Sequence, residues 1–128
     1  MVNSRAKGAR AERALCEALK EVMGWESARR SVQYCGSVEG GAADLVIEEV
    51  PALHVESKMV EKLSIHPTME RAVQEAGGTK LAVVAHKRKR TGWLITCRLE
   101  DWLALSRMVT SACTKPEPND AQSQSGST

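Results

Sequence analysis

The stretch ADLVIEEVPALHVESK, residues 43–58, constrains the fold of this chain more than any other. Asp44 closes a glycine-rich loop and opens an apolar run, and a second apolar run carries Glu56 and Lys58 two positions apart. Residues i and i+2 of a strand share a face. Glu56 and Lys58 therefore project together, while Val55 and Ser57 face the other way. Both runs are short and strongly apolar, which predicts a central place in a sheet. Charged groups there are costly unless they are paired or bind a metal. Two carboxylates and an ammonium can thus meet at one point. Carboxylates suit a hard divalent cation such as Mg²⁺, and the lysine could orient an attacking water or stabilise charge on a phosphate.

The flanking segments read as a mixed α/β domain. Ala11, Leu15, Leu19 and Val22 recur at helical spacing over residues 5–23, with Asn3 or Ser4 as cap and Gly24 as stop. A short strand is expected around Val32 and Tyr34, then a loop over 35–42. Strands are expected at Asp44–Glu48 and Leu53–Lys58. Their short connection, with Pro51, suggests an antiparallel hairpin. Pro67 lies near the start of a second helix striped by Met69, Ala72, Val73 and Ala76 and ended by Gly77 and Gly78. The continuous apolar run Leu81–Ala85 suggests a strand buried on both faces. Trp93–Cys97 reads as another strand. Leu99–Met108 reads as a last helix with Trp102, Leu103 and Leu105 inward. The order is αβββαββα, a mixed sheet flanked by helices.

At 128 residues the chain accommodates one domain with a real core. We expect that domain over residues 1–110 and a polar tail over 111–128. From Lys115 onward no large apolar residue remains to order the tail. No run approaches the ~20 apolar residues of a membrane helix, and the polar, basic start from Met1 to Arg13 is no secretion signal. The four cysteines lack zinc-ligand spacing and read as reduced, intracellular thiols.

Each candidate also has a plainer role. Asp44 could merely end a loop, and Glu56 with Lys58 could be the solvated face of an edge strand. Glu12 lies beside the apolar stripe of the first helix, either as a surface ion-pair partner or as a carboxylate looking over the sheet at a metal. His54 shares the face of Glu56, although a lone strand histidine is more often structural. His66 and His86 are weaker candidates. Net charge is only +2, yet positive charge is clustered. Arg5, Lys7, Arg10 and Arg13 line the first helix, Arg29 and Arg30 precede the first strand, and Lys87, Arg88, Lys89 and Arg90 form a basic turn. A single such run is usually solvated surface; three around a carboxylate pair favour phosphate contacts with nucleic acid. The glycine loop at 36–41 lacks the GxxxxGK[ST] pattern of a phosphate loop.

Glu12 on a helix, Asp44 after a glycine loop, and then Glu56-Ser57-Lys58 resemble the PD-(D/E)xK nuclease superfamily, and the element order resembles its αβββαβ core. The segments RAKGARAERAL, ADLV and HVESKMVEKLS are similar to those of Holliday junction resolvases of the archaeal and bacteriophage type. The resemblance spans roughly residues 5–105. It departs at Ala43, where the superfamily usually has a proline that shapes the backbone and ligates nothing.

The resemblance implies a restriction-endonuclease-like fold and a structure-specific endonuclease. Asp44 and Glu56 would bind Mg²⁺ (Mn²⁺ substituting) with the Ser57 carbonyl, and Glu12 would join directly or through water. Lys58 would position or deprotonate the attacking water. It further implies branched DNA as partner, a homodimer, no membrane, no small-molecule cofactor and a cytoplasmic location, including that of a bacteriophage protein in its host. The KLS sequence after Lys58 hints at a flap or nicking nuclease of the virus-type replication-repair group. A non-catalytic nucleic-acid-binding module is the other alternative, and the intact Asp, Glu and Lys argue against it.

Overall fold

The structure, a computed structural model, describes residues 4–31, 33–34, 37–38 and 43–114, with side chains over 7–31 and 43–114. The expected strand residue Val32, much of the 35–42 loop and the tail from Lys115 lie outside these.

The first helix, α1, runs Ser4–Met23 and is about 30 Å long. Its Ala11, Leu15 and Cys16 are buried, with Leu19 and Met23 packed behind them. Val22, expected on this stripe, is 63% exposed. The 11-15-19 row continues by steps of four to Met23, which turns Val22 outward. The helix stops at Gly24 (φ 75°), a backbone conformation that suits glycine.

β1 (Arg29–Arg30) pairs antiparallel with β4 (Leu45–Val46). Between them, β2 (Gln33–Tyr34) pairs with β3 (Ser37–Val38), so a two-residue strand stands inside the stretch expected to be loop. The expected hairpin of 44–48 with 53–58 does not form a ladder among the described residues. β4 is only two residues long and its ladder partner is β1. Two successive turns, closed by Val50 N–H to Ile47 O and Leu53 N–H to Val50 O, carry the chain off the ladder. Ser27 holds them in place: its hydroxyl donates to Glu49 and accepts from the Glu48 N–H. This bond also holds the Glu49 carboxyl below its usual range.

The main sheet has the order β5-β6-β7. β5 (Leu53–Met59) and β6 (Leu81–Lys87) run parallel, joined through α2 (Ile65–Ala76), and β7 (Leu94–Thr96) returns antiparallel to β6. β6 is central and Ala82–Ala85 are all buried, as its continuous apolar run requires. Alternation splits the core in two. Leu53, Val55, Val83 and Ala85 face α1, Trp25 and α3 (Leu99–Ala112), while Ala82 and Val84 face Met69, Ala72 and Ala76 of α2. The small side chains on the second face let α2 approach the sheet closely.

α3 passes the domain boundary expected at residue 110. Ala112 O accepts from the Trp25 indole N–H (3.0 Å), and the Thr114 N–H reaches Met23 O (3.0 Å). Leu105 is buried, but Trp102 and Leu103 are 59% and 64% exposed, contrary to the inward placement expected of them. The inward row is Leu105, which is buried, with Met108, Val109 and Ala112 partly buried against the same core. Leu103 falls off that row, and Trp102 sits at its open end, lining the lip of an apolar cleft of about 350 Å³ between α1, the sheet and α3. Cys16, Cys97 and Cys113 form no disulfide among the described residues, and Cys35 lies outside them.

Candidate functional site

The residues of β5 that point away from α1 are His54, Glu56 and Lys58, and they face α2. His54 is 1% and Glu56 8% exposed, and His54 Nε2 lies 2.9 Å from Glu56 Oε2. α2 adds Glu75, which follows Ala72 by three positions and so borders the buried stripe. One ligand atom from each of His54, Glu56 and Glu75 lies within 4.8 Å of the others.

Asp44 is fixed to β5 at two points. Its backbone N–H donates to Val55 O (3.0 Å) and its Oδ2 accepts from the Ser57 N–H (2.8 Å), with the Ser57 hydroxyl at 3.4 Å. This double clamp takes the place of the expected hairpin ladder. It sets a second carboxylate beside Glu56 without needing a long strand. Burial pushes the Glu56 carboxyl up to about 7, and the negative charges of Asp44 and Glu75 push the same way against the bond from His54. Near neutral pH this buried group needs either a proton or a cation.

Lys58 and Glu56 line a cleft of about 250 Å³, closed on the far side by Ser64, Thr68 and Arg71. A water occupies about 30 Å³ of liquid, so the cleft has room for a phosphate group or several waters. Arg71 and Glu75 were not singled out from the sequence. Both lie on α2 within one turn of Ala72, the helix's most buried residue. What the sequence lacks is which face of the sheet that helix covers.

Glu12 forms an ion pair with Arg30 of β1. Its Oε1 lies 2.9 Å from Arg30 Nε, and among the described residues it is Glu75 that joins His54 and Glu56. Of the basic runs, Lys7, Arg10 and Arg13 are exposed along α1, and the Arg5 side chain lies outside the described residues. Arg29 pairs with Glu48 at 3.0 Å. Arg88, Lys89 and Arg90 are exposed on the turn between β6 and β7. Lys87 stands over the Trp93 ring, 5.7 Å from its centroid.

The donor set fits a divalent cation. Asp44 and Glu56 are hard oxygen donors, the Ser57 carbonyl belongs to the same strand, and Glu56 is a buried carboxyl in need of countercharge. His54 and Glu75 add a nitrogen and an oxygen, which suits Mn²⁺ as well as Mg²⁺.

No family model matches the chain, and no curated protein matches it. Among solved structures, it is similar to Archaeoglobus fulgidus Hjc, a Holliday junction resolvase from an archaeal hyperthermophile. The TM-score is 0.50 at 28% identity, over 70% of this chain and 76% of that one. The fold is that of the PD-(D/E)xK nucleases, a restriction-endonuclease-like mixed sheet flanked by helices.

Proposed function

We propose that this chain is a divalent-metal-dependent endonuclease that hydrolyses phosphodiester bonds at four-way DNA junctions. The observation that carries the proposal is the clamp of Asp44 onto β5 beside Glu56, with Lys58 in the adjoining cleft. The similarity to a resolvase adds support for the substrate. Asp44, Glu56 and the Ser57 carbonyl would hold Mg²⁺ or Mn²⁺, with Glu12 reached through water. The cation supplies Lewis acidity toward the phosphate and the attacking water. Lys58 orients that water or takes its proton. Its oxygen would form the new bond to phosphorus as the bond to the 3′ oxygen breaks, in line with the attack, and the departing 3′ oxygen would take a proton from solvent. Arg71, across the cleft, binds a non-bridging phosphate oxygen.

Junction resolution needs two symmetric cuts, and a two-fold homodimer supplies that symmetry. Leu99, Trp102 and Leu103 on α3 and Leu94 and Ile95 on β7 are exposed, and a second copy would cover them. No helix among the described residues is long and apolar enough to cross a membrane, and we assign the protein to the compartment that holds DNA.

A panel of a four-way junction, a flap and a linear duplex, each with and without Mg²⁺, tests the reading. Cleavage of the junction alone, and only with metal, is expected. Preferential cutting of the flap would assign the chain to the flap and nicking nucleases instead. Tight binding without cutting would make it a binding module.

A further inference from the structure

A second groove, of about 860 Å³, adjoins the cleft that holds Lys58. The two share a wall, the segment leading from β5 into α2: Leu63 and Ile65 face the groove and Ser64 faces the cleft. In the parallel ladder Lys58 stands opposite His86, and Met59 stands opposite Lys87. His86 lines the groove as well, so the groove reaches the level of Lys58 and extends past it through Lys87 and Arg88.

Its lining combines three cations, Lys62, Lys87 and Arg88, and one carboxylate, Glu61, with one large aromatic ring, Trp93. Trp93 is half-buried and rests on the core below, while the Lys87 ammonium stands over its ring. The basic turn is braced. The Lys89 N–H donates to Glu61 (2.9 Å), the Arg88 N–H to the Thr91 hydroxyl (3.0 Å), and the Val60 N–H to Lys87 O (3.1 Å). These bonds fix the backbone that carries Lys87 and Arg88 before any ligand arrives, and leave the side-chain ammonium of Lys87 free to turn.

We propose that this groove is a subsite for one unpaired nucleotide of branched DNA, its base stacked on Trp93 and its flanking phosphates on Lys62, Lys87 and Arg88. The inference rests on the nuclease reading for its substrate. Stacking on an aromatic side chain strengthens single-strand binding by roughly ten-fold or more per base. The cation–π contact of one partly exposed lysine is weaker. An incoming base can therefore take the place of the Lys87 ammonium, which swings to the phosphate and keeps a charged partner. A base inside a continuous duplex has both faces covered by its neighbours. Only a branch point or an opened pair presents a free face, so the groove favours branched over linear DNA.

The test places 2-aminopurine at the crossover of a four-way junction and, separately, inside a linear duplex of equal length, without divalent metal. Wild-type protein should quench the junction probe on binding and leave the duplex probe unchanged. Trp93→Ala should abolish the quench and weaken junction binding ten-fold or more, with duplex binding changed less than two-fold. Trp93→Phe should restore most of both. Absence of quenching with wild-type protein would overturn the proposal whether or not the alanine variant folds. So would an equal loss on junction and duplex, which would mean that Trp93 only shapes the basic turn. The nuclease reading fails separately, on absence of Mg²⁺-dependent cleavage by wild-type protein, and the quenching result stands apart from that outcome.

Discussion

Glu56 carries the largest chemical tension in the site. Its carboxyl is raised to about 7 chiefly by burial, from an ordinary value of 4.5. A group raised on folding contributes stability that is full below its unfolded value and is lost as pH rises through the folded one. Metal-free protein should therefore lose stability between pH 4.5 and pH 7, by at most about 1.4 kcal/mol per pH unit for this one proton. Denaturant melts at several pH values check this, and Glu56→Gln should flatten the profile. Mg²⁺ competes with the same proton, so its apparent affinity should rise as pH passes through 7. Asp44→Asn or Glu56→Gln should reduce cleavage by orders of magnitude while leaving DNA binding within a few-fold. Lys58→Ala should lower the single-turnover rate similarly with little loss of affinity. An affinity loss recovered at saturating protein would make Lys58 a phosphate anchor. That Glu56 and Lys58 share a face was legible in the sequence because a strand's two-residue period fixes it, whereas Asp44 was legible only as the residue that closes the glycine loop before an apolar run. Glu75 and Arg71 were not, because the registry of α2 over the sheet depends on packing that no local pattern states.

At the scale of elements, the reading succeeded where burial is symmetrical and failed where backbone pairing is decided by side chains. The run Leu81–Ala85 could only be a central strand, and β6 is one. The 44–58 region looked like a hairpin because its connection is short. The Ser27 hydroxyl instead gathers Glu48 and Glu49 into consecutive turns, and the Asp44 carboxylate takes the Ser57 N–H. α3 misled for another reason. Its apolar residues outnumber its buried positions, so Trp102 and Leu103 remain outside. The α2 layer depends on small side chains, and Ala72 is fully buried against the sheet. Ala72→Leu should destabilise the fold by about 1–3 kcal/mol through overpacking, read as a lower denaturation midpoint. The same shift should displace Glu75 and Arg71 and depress cleavage. Wild-type stability in this variant would contradict the close approach of α2.

Across the whole molecule, charge is distributed so that two of the three basic runs are open to DNA. Lys7, Arg10 and Arg13 on α1 and Arg88–Arg90 on the turn are exposed, whereas Arg29 and Arg30 already pair with Glu48 and Glu12. Junction affinity should fall steeply with salt, by a slope of roughly −0.9 per phosphate neutralised. Arg10→Gln or Arg90→Gln should reduce that slope by about 1, and Arg30→Gln by less, because it only exchanges one partner for another. The dimer makes a separate prediction. Trp102→Glu together with Leu103→Glu should leave a folded monomer, seen by light scattering at assay concentration. A chain ending at Thr114 should keep both its fold and its pairing, since Thr114 is, among the described residues, the last one bonded back to the domain.

The most direct measurement is cleavage mapping on a four-way junction under single-turnover conditions, with wild-type protein and Glu56→Gln compared in Mg²⁺ and in its absence. The expected result is a pair of symmetric nicks near the crossover, made only by wild-type protein and only with metal. Cleavage by Glu56→Gln at the wild-type rate, or nicks that persist without a divalent cation, would contradict the site assigned to β5.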